Sequence, residues 1–179
     1  MQITSDHPTR KLLRLPNHDY SHAGPYFVTI CTQNKTCMLS TVRGEQVDLS
    51  PAGEVARGVW YALPDRFPQL VLDEFIIMPN HLHAILAFVG AGLAPPDAAT
   101  MKSGHLNLYS LPAVIGAFKS ISTIKINRLL SRSGLPFWQR SYYEHIIRNS
   151  GDMKNAQRYI LENPLKWSLD PEHPQSRRR

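Results

Sequence analysis

Residues 71–88, VLDEFIIMPNHLHAILAF, constrain this chain more than any other stretch. Val71–Met78 ends in a continuous apolar run, which predicts a strand buried on both faces. Pro79-Asn80 is a turn signal, and His81–Phe88 then returns as an antiparallel strand. Side chains alternate faces along a strand, so His81 and His83 share one face while Leu82 enters the opposite layer. Two neutral imidazoles about 6–7 Å apart can converge on one divalent ion and leave positions for a third ligand, water and substrate. The plain alternative is a pair of satisfied histidines on a half-exposed strand.

The flanking pattern supplies the other elements. Tyr26–Gln33 (YFVTICTQ) is β-branched and aromatic, a strand. Ser50–Ala62 reads as a helix, with Ser50 as N-cap, Pro51 at the first helical position and Val55, Val59 and Ala62 at helical spacing. A long helix is expected at about Leu111–Arg132, with Ile115, Phe118, Ile126 and Leu129 on one stripe. Within Trp138–Arg148, YYEHIIR is a strand. Asp152–Asn163 is a final helix that Pro164 ends. The order β-α-β-β-α-β-α predicts an α+β fold, a ferredoxin-like split βαβ antiparallel sheet with one extra C-terminal helix. Such a fold serves many activities and decides none of them. One domain is expected over 18–170. A basic extension (1–17, with Arg10, Lys11 and Arg14) precedes it, and a flexible Gly/Ala/Pro-rich insertion at 89–104 interrupts it. A disordered basic tail (171–179) follows.

Charge narrows the partner. Among 179 residues, Lys and Arg number 20 and Asp and Glu 14, a net charge of +6. Residues 1–90 hold 7 basic and 8 acidic side chains, whereas 91–179 hold 13 and 6. A polyanion is the expected partner, attracted mainly by the second half. Cys31 and Cys37 are too few for a disulfide scaffold, and without another cysteine pair they argue against a structural zinc site. No apolar run approaches the roughly 20 residues of a membrane span. The start, MQITSDHPTRK, lacks a signal peptide's apolar core. A cytoplasmic, nucleoid-associated location is expected.

FIIMPNHLHAIL resembles the HUH motif, histidine–hydrophobic–histidine, of single-tyrosine transposases and relaxases. RKLLRLPNHDYSHAGPYFVTICTQN, FWQRSYYEHIIRN and RYILENPLKW are similar, in consistent order, to the branch called REP-associated tyrosine transposases. The resemblance spans roughly Arg10 to Pro174. It implies a metal-dependent endonuclease and strand transferase that attacks single-stranded DNA with one tyrosine, forming a covalent 5′-phosphotyrosine link and a free 3′-OH. Tyr109, Tyr142, Tyr143 and Tyr159 are the tyrosines of the basic half. The Y-x-x-x-N-P segment matches Tyr159 as nucleophile and Asn163 as third metal ligand beside His81 and His83. Mixed N/O ligation without thiolate suits Mg²⁺ or Mn²⁺, although Zn²⁺ would be accepted. Glu144 and Glu162 either assist or are merely solvated.

The implied substrate is single-stranded DNA folded into hairpins, REP-like imperfect palindromes, handled by a monomer or a homodimer. Lys125, Arg128 and Arg132 lie at i, i+3 and i+7, a phosphate track or a solvated face. Arg140, Arg148, Lys154 and Arg158 add charge around the tyrosine helix, and Trp138, Tyr142 and Tyr143 are candidates to stack on unpaired bases. The N-terminal basic cluster and Arg177–Arg179 are candidates to grip the hairpin. Asn149–Asp152 would form the hinge before the tyrosine helix. Two rival readings remain: a non-catalytic RNA- or DNA-binding module, and a metal-dependent hydrolase in which water attacks.

Overall fold

A computed structural model describes residues 24–88 and 110–176. The N-terminal basic cluster, the whole Gly/Ala/Pro-rich stretch, Tyr109 and the three terminal arginines lie outside the described residues. The sheet is built around β5 (His81–Phe88), whose residues are all buried except the half-buried Ala87. It lies between β4 (Leu70–Ile77) and β1 (Gly24–Cys31), and β6 (Tyr143–Ile146) completes the order β4-β5-β1-β6. Every neighbouring pair is antiparallel. The crossovers between β1 and β4 and between β5 and β6 contain helices, so the expected split βαβ arrangement is the observed one. β4, however, is an edge strand rather than one buried on both faces, and its accessible positions include the exposed Val71. Its apolar run packs toward both layers but leaves one margin in water.

Two helices cover one face. In α1 (Pro51–Tyr61), Ser50 Oγ accepts the Gly53 N–H at 3.1 Å, as the Ser-Pro start predicts. α3 (Leu111–Leu129) turns Val114, Ile115, Phe118 and Ile126 inward, while Leu129 is exposed at its end. These meet Tyr26, Val28 and Ile30 of β1 and Leu82, Ala84 and Leu86 of β5 in the main core. Trp60 stacks on Phe75 with ring centres 5.2 Å apart and takes Phe118 edge-on at 5.2 Å. Burying several large rings in one layer makes this the stabilising mass of the fold.

The opposite face has a thinner cover. α4 (Ser150–Glu162) contributes a single buried residue, Ile160, which joins Ile85 and Ile147 with Phe27, Ile76, Met153 and Ala156 around them. Asn149, expected to start a hinge, is the N-cap of this helix and accepts the Asp152 N–H at 2.9 Å. Gln157 adds a tie across to Asp73 at 3.1 Å. A short helix α2 (Leu63–Arg66) follows α1. The hairpin β2 (Ser40–Arg43) and β3 (Gln46–Leu49) is absent from the predicted order. Its strands are four residues each and mostly polar, and the alternation of Gln46–Leu49 is too short to stand out. Gly44, at φ 63°, makes the two-residue turn.

The base of this hairpin bears directly on α1. A Cβ placed on Gly53 would stand 2.1 Å from the Leu39 carbonyl oxygen, whereas one on Gly58 meets nothing within 4 Å. Gly53→Ala is therefore expected to destabilise by about 1–3 kcal/mol through forced backbone movement. Gly58→Ala, exposed in a helix interior, should stabilise by up to about 1 kcal/mol. Urea unfolding midpoints of the two variants check this, and equal shifts would contradict it.

Candidate active site

The histidine pair faces α4, because odd-numbered residues of β5 point to that layer and Leu82 to the other. The turn before it is locked from outside. Asn80 O accepts the Thr32 N–H at 2.9 Å, and Pro79 O accepts the N–H groups of Met38 and Leu39 at 2.9 and 3.0 Å. Asn80 is fully buried. Its Nδ2 donates to Glu172 O at 2.7 Å and Lys35 O at 3.2 Å, which leaves Oδ1 facing His81 Nδ1 at 2.9 Å. An amide oxygen only accepts, so His81 Nδ1 carries the proton and Nε2 presents a bare lone pair.

His83 meets it head-on, with 3.0 Å between the two Nε2 atoms. Its Nδ1 lies 2.8 Å from Thr29 Oγ1. A hydroxyl can donate or accept, so Thr29 can serve either tautomer of His83. When Thr29 accepts from Nδ1–H, both Nε2 lone pairs face the same point. Two nitrogens bound to one ion at about 2.1 Å and at right angles lie about 3.0 Å apart.

Asp170 completes the donor set. Its Oδ2 is 3.9 Å from His81 Nε2 and 4.0 Å from His83 Nε2, and it is buried with them. The carboxylate accepts the Glu172 N–H at 2.6 Å through Oδ1 and Asn163 Nδ2 at 3.0 Å through Oδ2. Two imidazoles and one carboxylate suit a divalent cation, and this buried cluster can hold one. Burial, with His83 beside it, pushes the His81 pKa down to about 3, so the ring is a neutral potential ligand at pH 7. Burial opposes the Asp170 charge, but His83, His81 and the N–H groups of Glu172 and Asn163 outweigh it, bringing its pKa to about 2.

Tyr159 lies over this cluster. Its ring stands edge-on to His83 with centres 5.1 Å apart and to Phe27 at 5.8 Å. Burial first, and the Asp170 charge second, push the phenol up to about 12, against a hydrogen bond with Asn163 that lowers it. The i, i+4 relation thus brings Tyr159 and Asn163 together as expected. In this geometry Asn163 holds Asp170 with its Nδ2, while its buried Oδ1 has no hydrogen-bond partner. The close third donor is Asp170, in the segment after α4.

Other expected site residues separate by face. Trp138 is buried, donates to Ser122 Oγ at 2.8 Å and packs on Phe118 and Phe137, so it belongs to the core and has no face to offer a base. Arg132 is spent internally: Nε donates to Asn127 Oδ1 at 2.8 Å, and its guanidinium lies over Phe137. Lys125 and Arg128 are exposed on α3, the helix layer across the sheet from His83. Arg140 is exposed before β6. Arg148, Lys154 and Arg158 are exposed beside or on α4, the layer that carries Tyr159. Glu144 points into the α3 layer opposite Val28, and Glu162 pairs with Lys166 at 2.5 Å; neither belongs to the histidine cluster.

Residues 171–176, expected to begin a disordered tail, instead form turns against the site. Glu172 pairs with Lys35 at 2.5 Å and accepts from Cys31 Sγ at 3.2 Å. Asp170 O accepts Ser176 Oγ at 2.7 Å. Burial and Glu172 push the Cys31 thiol up to about 12, so it stays protonated. The composition of this segment suggests a solvated tail, but Lys35 of the β1–β2 loop holds Pro171 O and the Glu172 carboxylate, and Asn80 of the β4–β5 turn holds Glu172 O.

No family model matches the chain. An uncharacterized protein of Haemophilus influenzae is 32% identical over 166 residues, covering 90% of this chain and 91% of that one. A solved REP-associated tyrosine transposase bound to a REP hairpin superposes with a TM-score of 0.60 at 16% identity, over 88% of this chain and 76% of that one. A candidate transposase from Deinococcus radiodurans aligns over 84% of this chain and 98% of its own, with 21% identity and a TM-score of 0.42. The fold is that of the REP-associated tyrosine transposase, an α+β antiparallel sheet with its helices on both faces. The chain belongs to one family with the H. influenzae protein.

The buried imidazole has a consequence for stability. The unfolded chain binds a proton at His81 near pH 6.5, but the folded chain does so only near pH 3. Between these values the unfolded state holds more protons, so stability falls as pH falls. Asp170, depressed from 3.8 to about 2, adds a further loss below its unfolded pKa. Urea midpoints should drop from pH 7 to pH 4.5, and His81→Gln should flatten that drop. An unchanged slope in the variant would contradict the buried neutral ring. Thr29→Val should weaken Mn²⁺ binding by calorimetry about 10- to 100-fold, because His83 loses the partner that orients it.

Proposed function

We propose that this protein is a metal-dependent single-stranded DNA endonuclease and strand transferase of the REP-associated tyrosine transposase type, with Tyr159 as nucleophile. The observation that carries this reading is the edge contact of Tyr159 on His83, which puts a phenol and the His81–His83–Asp170 donor set in one site. A divalent ion such as Mn²⁺ or Mg²⁺ held there would polarise the scissile phosphate and offset charge in the transition state. His81 and His83 would hold it through Nε2 and Asp170 through Oδ2. The unpartnered Asn163 Oδ1 is available to the same position.

The chain's own groups then perform the exchange. The Tyr159 oxygen attacks phosphorus, and the bond to the 3′-oxygen breaks. The phenol proton is lost as that oxygen gains one, which leaves a 5′-phosphotyrosine and a free 3′-OH. One phosphodiester replaces another, so the reverse reaction with a different 3′-OH transfers the strand. A phenol near 12 is a poor nucleophile at neutral pH until cationic charge approaches it. Thr29 and Asn80 keep both imidazoles aimed, and the exposed Arg148, Lys154 and Arg158, beside or on α4, offer cationic surface to the DNA backbone. A hairpin-forming, REP-like strand is the proposed substrate, by analogy with the DNA bound by the structural neighbour.

Incubation with labelled hairpin-bearing single-stranded DNA and Mn²⁺, followed by a denaturing gel, tests the reading. A covalent adduct is expected that disappears in Tyr159→Phe, in His83→Ala and with chelator. Cleavage without adduct would instead indicate attack by water, and binding indifferent to both metal and Tyr159 would indicate a recognition module.

A further inference from the structure

α4 rests on β4 and β5, not on the edge strand β6, so an open cleft of about 600 Å³ remains between that helix and β6. Phe27 and Thr29 of β1 form its floor. Tyr143 and His145 pair with Thr29 and Phe27 across the β1–β6 ladder and therefore project to the same face, as one wall. Asn155, Ala156 and Tyr159 of α4 make the other, and the cleft ends at His83 and Asp170. The transfer chemistry proposed above uses only this far end.

The lining specifies what the remainder accepts. Its volume lies within the range of small-molecule sites, about 300–1,000 Å³. Phe27, Tyr143 and His145 present rings, and Tyr143 is 55% exposed although it stands in a cleft wall. Among the described lining residues there is no lysine or arginine, whereas Asp152, Asp170 and Glu172 are acidic. Away from the His83–Asp170 end the cleft offers rings and Asp152 but no cation to hold a phosphate, which suits a neutral planar ring. Arg158, by contrast, stands beside the cleft and donates to Asn155 Oδ1 at 2.9 Å. That contact sets a cation at the rim of the cleft and leaves the Asn155 Nδ2 donor for an occupant's polar edge.

We infer that this cleft seats an unpaired nucleobase of a nucleotide flanking the scissile phosphate, with Tyr143 and His145 as the stacking wall and Asn155 reading the base edge. The inference rests on the transferase reading for its position next to Tyr159, and it extends that reading to sequence choice at the cleavage site. The deep end positions the phosphate, whereas the shallow end selects the base.

The test uses Tyr159→Phe protein, which retains the ring but cannot form a link, and hairpin-bearing single-stranded DNAs with 2-aminopurine at each unpaired position near the hairpin foot. Quenching is expected at one position, lost in the Tyr143→Ala/His145→Ala background. An abasic nucleotide at that position should weaken binding about 5- to 100-fold in otherwise unaltered protein and little in that double variant. Asn155→Ala should keep the quenching but bind the four bases there alike. An unchanged urea midpoint certifies that the variants are folded. No quenching at any position, or full quenching in the double variant, would overturn the inference even if the covalent adduct forms. Position-specific quenching with no adduct in Tyr159-containing protein would uphold the base site and overturn the transferase reading.

Discussion

Everything at the site depends on two imidazoles being held nose to nose inside the sheet. Two rings whose Nε2 atoms stand 3.0 Å apart keep that arrangement only if each has a fixed partner behind it. Asn80 and Thr29 are those partners, and both belong to segments positioned by other needs of the fold. Asn80 is pinned because its own carbonyl and that of Pro79 accept N–H groups of the β1–β2 loop. Thr29 sits opposite His83 because the β1–β5 register places it there. A one-residue slip in that register would turn both histidines into the main core and bring Leu82 to the site.

The two faces of the sheet divide the labour of stability and chemistry. The α1–α3 face gathers Trp60, Phe118, Trp138 and the aliphatic core. The α4 face has few fully buried apolar residues, and its remaining area is given to polar groups and an open cleft. A helix that buries only Ile160 has little packing to lose, so local opening of α4 should cost less than global unfolding. Tyr159 thus rides on the less strongly held layer, while the histidine pair is embedded in the sheet.

Much of this was legible in the chain. The run from Val71 to Phe88 carries both strands, the turn and the shared histidine face, and Ser50-Pro51 marks its helix start. The similarity to transposases pointed to Tyr159, which the structure brings onto His83. Other features depend on tertiary relations that no local pattern encodes. Trp138 among basic residues looks like a stacking platform, yet one hydrogen bond to Ser122 and two aromatic neighbours make it core. Arg128 is separated from the site by the thickness of the sheet, which a count of charge along the helix does not register. Asp170 lies in SLDPEHP, where neither helical nor strand period operates. Its recruitment depends on a chain reversal after α4 and on contacts of Glu172 with Lys35 and Asn80.

That reversal governs the order in which the site can come into being. The histidines belong to the middle of the polypeptide and can be buried as soon as β1, β4 and β5 pair. The tyrosine comes later, with α4, and the carboxylate later still. During synthesis the histidines therefore emerge before the phenol, before the Asp170 carboxylate and before the Glu172 carbonyl that helps turn Asn80 toward His81. The grouping of His81, His83, Tyr159 and Asp170 is complete only once the segment after α4 has folded back against the β1–β2 loop.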